Sequence, residues 1–213
     1  MKIKSFVFNP VQENTYVLYD ETNECVIIDP GCFYPDERAE LLNFIVDNDL
    51  IIKHVLNTHL HFDHTFGLNF VHDQFQMATE ANKADEFLLE KIPEQMEMFG
   101  FGKYTDPIPK ISHYLNENDV VTFGNQRLIV LQVPGHSPGS IVFYNQKSGD
   151  LFVGDVLFRG SIGRTDLTGG NYNLLIEGIQ NKLFTLPPDT VVYSGHGPIT
   201  TIGEEIKNNP FFK

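Results

Sequence analysis

Short apolar runs, each cut off by turn residues, fill the first part of the chain. Residues 3–8 (IKSFVF), 14–19 (NTYVLY) and 24–29 (ECVIID) read as β-strands, with turns at Asn9-Pro10 and around residues 20–23. The period then changes. Within 35–50 (PDERAELLNFIVDNDL), Leu41, Leu42, Ile45 and Val46 recur at helical spacing, and Pro35 suits a first turn. Residues 51–58 return to strand, and a helix is expected over about 66–75. The rhythm breaks at 80–110, which is helical at first and then rich in Phe, Gly and Pro; it predicts an insertion able to cover a pocket, with Met98, Phe99 and Phe101 as apolar cover. Strands resume at 119–123, 127–133, 140–144 and 150–155. A Gly-rich loop (158–170), a helix (171–186), a last strand (190–195) and a short helix, Ile202–Asn208, complete the pattern. No linker interrupts it. Strand sets followed by helices predict one α/β domain over residues 1–213, with two sheets packed together and helices outside.

Composition narrows this picture. Apolar residues make up 41%, with 18 Phe and 8 Tyr, enough for a sizeable core. A net charge of −13 with no Lys/Arg cluster argues against a nucleic-acid partner. No apolar run approaches the roughly 20 residues that span a bilayer, and the N-terminal segment turns polar too early for a secretory signal. A soluble, cytoplasmic protein is expected. Cys25 and Cys32 lie seven positions apart, without the paired spacing of a thiolate metal site, and are expected to be reduced core residues.

The chemistry concentrates in residues 57–67, NTHLHFDHTFG, where three of the chain's eight histidines fall within six positions. His59 and His61 are two apart at a strand end, so their side chains point the same way and can share one ion. Asp63 and His64 follow where the chain turns toward a helix and can serve a second ion. Neutral imidazole and carboxylate suit zinc, iron, manganese or cobalt. Two ions need more donors than this stretch holds. His136 in VPGHSPGS, Asp155 in LFVGD and His196 in YSGHGP each sit at the exit of an apolar strand, as His59 does. Strands of matching sense would gather those exits at one edge, where pockets form. Gly135, Gly139, Gly195 and Gly197 flank the outlying histidines and permit tight turns. His54, His72 and His113 lack such company and receive no role. Asp29 and Thr58 are candidates to orient the imidazoles from behind.

HxHxDH, a lone His after a strand, then GD and GHG together resemble the metallo-β-lactamase superfamily, and GDVLFRGSIGRTD is similar to its glyoxalase II (hydroxyacylglutathione hydrolase) branch. The resemblance runs from about residue 3 to the end. It implies a four-layer αββα sandwich of two mixed β-sheets with helices on the outer faces. It implies two divalent metal ions, zinc first with iron or manganese as alternatives: His59, His61 and His136 on one, Asp63, His64 and His196 on the other, and Asp155 bridging. Arg164 matches a basic residue that contacts substrate in that branch, and an ion pair with Asp166 is the competing reading of it. The implied reaction is hydrolysis of a small-molecule acyl thioester, with Asp63 also orienting the water. The glutathione contacts transfer poorly: Gly197-Pro198 replaces the family's Glu-Tyr, Asp166 replaces an aromatic residue, and no C-terminal helical domain is seen before Lys213. The rival reading is a persulfide dioxygenase with a single iron. A β-lactamase and an RNA nuclease are disfavoured.

Overall fold

A computed structural model describes residues 1–213. Strands β1 (Lys2–Phe8), β2 (Glu13–Tyr19) and β3 (Glu24–Ile28) form an antiparallel meander. Its first turn places Asn9 and Gln12 at positive φ, 52° and 59°. Helix α1 (Pro35–Asp47) follows, its start fixed by Glu37, whose carboxylate accepts from the backbone N–H groups of Phe33, Tyr34 and Asn9 at 2.7–2.9 Å. Strand β4 (Ile51–Leu56) pairs parallel with β3, and helix α2 (Leu68–Phe75) packs back on the sheet.

The 80–110 stretch carries more structure than its sequence pattern reveals. It opens on β5 (Thr79–Ala81), continues through α3 (Glu86–Glu90) and α4 (Ile92–Met98), and returns as β6 (Ile111–Tyr114). Both strands pair parallel and extend the first sheet to the order β1-β2-β3-β4-β5-β6. Neither strand was expected, because three or four residues are too few to show a period.

The second half builds another mixed sheet from β7 (Val120–Phe123), β8 (Gln126–Gln132), β9 (Ile141–Asn145), β10 (Asp150–Gly154), β13 (Val191–Ser194) and β14 (Thr200–Thr201), in the order β14-β13-β10-β9-β8-β7. The expected Gly-rich loop folds into a small hairpin, β11 (Leu157–Phe158) and β12 (Ser161–Ile162). The expected helix over 171–186 ends earlier, as α5 (Tyr172–Asn181), and α6 occupies Ile202–Asn208 as expected.

Side-chain alternation along the strands sorts the apolar residues into layers. Leu18, Val26, Ile28 and Leu56 of the first sheet face Leu128, Val130, Phe143 and Phe152 of the second in one central cluster. The opposite faces pack helices: Val17, Ile27 and Val55 against Leu41, Ile45 and Val71, and Val142, Leu151 and Val192 against Leu175, Ile179 and Ile202. This is the expected αββα sandwich. Cys25 and Cys32 are buried free thiols. No helix is long and apolar enough to cross a membrane.

Candidate metal centre

Four strand exits supply the candidate donors. His59 and His61 follow β4, His136 follows β8, Asp155 follows β10 and His196 follows β13. Strands β8, β10 and β13 run in one sense, since β8 and β10 each lie antiparallel to β9 and β13 lies parallel to β10. Their C-terminal ends therefore gather at one edge, opposite the end of β4. A 3₁₀ turn at Phe62–His64 swings Asp63 and His64 beside them. All seven predicted donors meet there.

They form two adjoining halves. Nε2 of His136 lies 2.9 Å from Nδ1 of His61 and 3.2 Å from Nε2 of His59. A tetrahedral ion with bonds of ~2.05 Å holds its nitrogen ligands ~3.3 Å apart, so both distances are close to the spacing an ion imposes, and one ligand atom from each of the three rings lies within 4.8 Å of the others. In the other half, Nε2 of His196 is 3.2 Å from Oδ2 of Asp63, and Nε2 of His64 is 3.6 Å from the same oxygen. Asp155 stands between: Oδ2 is 3.6 Å from Nε2 of both His136 and His196, and Oδ1 is 3.5 Å from Nε2 of His64. Nε2 of His64 and Oδ1 of Asp155 are buried without a hydrogen-bond partner. Such orphans are costly unless a cation satisfies them, so the donor set fits a pair of divalent ions.

The second nitrogens of these rings are held from behind. Nδ1 of His64 donates to Asp29 Oδ2 at 3.1 Å, that of His59 donates to Thr58 Oγ1 at 3.1 Å, and that of His136 donates to the carbonyl of Arg164 at 2.8 Å. Nδ1 of His196 faces the carbonyls of Val11 and Gln12. These contacts set the tautomers so that the far nitrogens carry lone pairs. His61 is the exception: its Nδ1 points into the cluster and its Nε2 has no partner. Asp29 is the hub. It takes a left-handed φ of 51° and also accepts from Thr58 N at 2.7 Å, Thr58 Oγ1 at 2.6 Å and Asn57 Nδ2 at 3.2 Å. These four bonds fix the carboxylate directly behind His64.

Charge divides between the halves as burial and neighbours dictate. Burial first, then the adjacent imidazoles, holds His59 well below the usual histidine range, and burial with His136 brings His61 down to about 3. Both are neutral, as ligands must be. Burial would also lower His64, but Asp63, Asp155 and Asp29 outweigh it and raise it. Burial works to raise Asp155 and Asp63; His64 and the other imidazoles overcome it and hold both carboxyls low. The carboxylates thus create a demand for positive charge that a proton or a metal cation can meet.

An open pocket of about 250 Å³ adjoins the cluster, with His61, Asp63, His136, Asp155 and His196 in its floor. One wall comes from α3 and α4 through Leu88, Lys91, Met98 and Phe99; another comes from Arg164, Leu167 and Thr168. Met98 is 67% exposed, with no core role to explain it. Phe101, expected to cover the pocket too, packs instead against Phe33, Phe62 and Phe66. Arg164 lines the pocket and also grips Asp166, Nε to Oδ1 at 2.7 Å and Nη2 to Oδ2 at 2.8 Å, so the ion pair expected of it is formed. Two buried acids escaped the sequence reading. Glu13 lies 3.9 Å behind His64, and Asp85 accepts from the backbone of Leu60 beside His59 and from the hydroxyl of Ser137 beside His136. In VQENTY and NKADEF they look like ordinary turn and helix acids, and only the tertiary fold reveals them.

Residues 8–196 match the family model described as the metallo-beta-lactamase superfamily. The chain is 35% identical to hydroxyacylglutathione hydrolase GloC of Haemophilus influenzae, over 99% of this chain and 98% of the relative. Among solved structures it resembles the B3 metallo-beta-lactamase BLEG-1 (39% identity, TM-score 0.90, all of both chains). It also resembles TTHA1623 in a di-iron-bound form (35% identity, TM-score 0.85, 98% of this chain and 99% of that one).

Proposed function

This chain belongs to the metallo-β-lactamase superfamily, and on that premise we propose that it is a binuclear metal-dependent hydrolase cleaving acyl thioesters of the hydroxyacylglutathione kind. The observation that carries the reading is the pair of orphaned buried atoms, His64 Nε2 and Asp155 Oδ1, inside a ring of histidine and aspartate donors at the floor of an open pocket. His59, His61 and His136 would hold one ion, Asp63, His64 and His196 the other, and Asp155 both. Zinc suits these donors; the di-iron form of the TTHA1623 relative makes iron an equal candidate. Two cations there would lower the pKa of a shared water to about 7 and polarise the substrate carbonyl.

The chain's own groups supply the rest. Asp63 lies on both the cluster and the pocket floor, where it orients the attacking water and accepts its proton. Phe62, Leu88, Met98, Phe99 and Leu167 bind the organic part of the substrate and exclude water, so that 80–110 acts as a lid within a single domain. Lys91 is paired with Glu94, which lines the same pocket, at 2.8 Å, so Arg164 is the cation that favours a thiol bearing a carboxylate. Arg164 is half-exposed, so exchanging Asp166 for a substrate carboxylate costs little.

The likeness to a B3 β-lactamase is a specific reason to test a second substrate class. The metal-loaded chain is assayed on S-D-lactoylglutathione, other acyl thioesters and a chromogenic β-lactam, with oxygen uptake followed on a persulfide. The expected result is thioester hydrolysis at a kcat/KM of about 10⁴ M⁻¹s⁻¹ or more, well above any β-lactam rate and without oxygen uptake. Fully metallated protein that turns over no thioester, or prefers the β-lactam or the persulfide, overturns the reading.

A further inference from the structure

Asp85 lies in the stretch that walls the pocket, yet it is completely buried and does not touch the pocket itself. Its backbone is placed before its side chain acts. Asn82 starts the 3₁₀ turn Lys83–Asp85: Oδ1 accepts from Ala84 N at 3.0 Å, and Nδ2 donates to the Leu115 carbonyl just after β6. The carboxylate then reaches two loops. Oδ1 accepts from Gly139 N at 2.6 Å; Oδ2 accepts from Ser137 Oγ at 2.6 Å and from Leu60 N at 3.3 Å. Leu60 sits between His59 and His61, and Ser137 directly follows His136. A Cβ at position 139 would lie 2.7 Å from the Asp85 carboxyl carbon, so the approach requires glycine there.

The three-imidazole half of the centre straddles the two sheets, because His59 and His61 leave β4 and His136 leaves β8. Its nitrogens must stay within a few tenths of an ångström to share an ion. A main-chain bond, Ile141 N to Thr58 O at 2.9 Å, joins the sheets one step behind. We propose that Asp85 is a positioning residue that clamps the His59–His61 loop to the His136 loop and couples both to the pocket wall. The inference rests on the metal-binding part of the proposed function and not on the substrate.

The substitutions differ in what they remove. Asp85→Ala loses all three bonds. Asp85→Asn keeps an acceptor for Gly139 and can donate to Ser137 Oγ, whose proton then turns to Ser140 Oγ, 2.7 Å away; it loses the bond from Leu60. Asp20 is the control. It is a buried carboxylate accepting from Thr22, Asn125 and Gln126 at the turn between β2 and β3. The full chain, stripped of metal, is titrated with zinc against a chromophoric chelator, alongside thermal unfolding of the stripped protein. Asp63→Ala marks which dissociation constant belongs to the other half.

In Asp85→Ala the constant for the three-histidine half is expected to rise about 10–100-fold, with a smaller rise in Asp85→Asn and the other constant within about twofold. Asp20→Ala should lower thermal stability and leave both constants alone. Wild-type affinity in Asp85→Ala, equal weakening of both halves, or the same loss in Asp20→Ala overturns the clamp. Should Asp85→Ala not fold, an unchanged constant in Asp85→Asn overturns it alone. Two ions bound, one lost in the variant and no thioester cleaved would leave the clamp standing and overturn the substrate assignment.

Discussion

Asp29→Asn changes one atom and tests the wiring behind the second half of the centre. In the native site Oδ1 accepts from Thr58 N and Asn57 Nδ2, and Oδ2 accepts from Thr58 Oγ1 and His64 Nδ1. An asparagine must keep its oxygen at the Oδ1 place, because two N–H donors point there. Its NH₂ then faces His64 Nδ1, 3.1 Å away in the native geometry. Two donors cannot pair, so His64 is driven to the other tautomer, with its proton on Nε2, the atom that faces Asp63 and Asp155. Positive φ at position 29 does not offset this, since asparagine accepts that conformation as readily as aspartate. Losing the charge-assisted bond to His64 and forcing the wrong tautomer costs about 1.5–3 kcal/mol, which is roughly a 10–150-fold loss of affinity for the ion that His64 holds. The assay is zinc titration against a chelator, read beside thioester turnover. The expected pattern is the larger weakening at the His64 site, a smaller one at the His59 site because Thr58 Oγ1 also loses its acceptor at position 29, and activity recovered at high metal concentration. If Asp29→Asn binds both ions at wild-type affinity, the tautomer argument is wrong.

Gly195→Ala would place a Cβ 2.3 Å from Asp155 Oδ1 and 2.7 Å from His64 Cε1; metal content by elemental analysis should fall below two ions per chain, while circular dichroism stays native. His54 provides a pH signature. Its hydrogen bond to Glu80 at 2.5 Å raises it from the ordinary histidine value against burial, and its Nε2 lies 3.1 Å from the Thr122 carbonyl on the opposite sheet. A raised folded pKa stabilises below the unfolded value of about 6.5 and loses that contribution as pH climbs through the folded one. The melting-temperature gap between wild type and His54→Gln should therefore be wider near pH ~6 than near pH ~9, and an equal gap at both would refute the assignment.

Ligand chemistry explains why so much of the centre was legible. Few residue types bind such ions, and HxHxDH, His136, Asp155 and His196 announced themselves by type and by their place at strand exits. The layers were legible for another reason: 14–19, 127–133 and 150–155 are short continuous apolar runs bounded by turn residues, the pattern of strands covered on both faces. Features without a period were hidden. Strand β5 has three residues, and α3 and α4 are too short for a helical repeat to appear. The carbonyl of Arg164, which orients His136, belongs to a backbone that no side-chain pattern encodes. Asp85 and Glu13 read as surface acids, because nothing local shows that long-range packing buries them.

The central claim is that seven side chains from both halves of the chain hold two neighbouring cations. Anomalous diffraction from crystals of the metal-loaded chain, recorded at the absorption edge of the bound metal, tests it directly. Two peaks about 3.5–4 Å apart are expected, one among His59, His61 and His136, one among Asp63, His64 and His196, with Asp155 reaching both. A single peak, or density away from these residues, would contradict it.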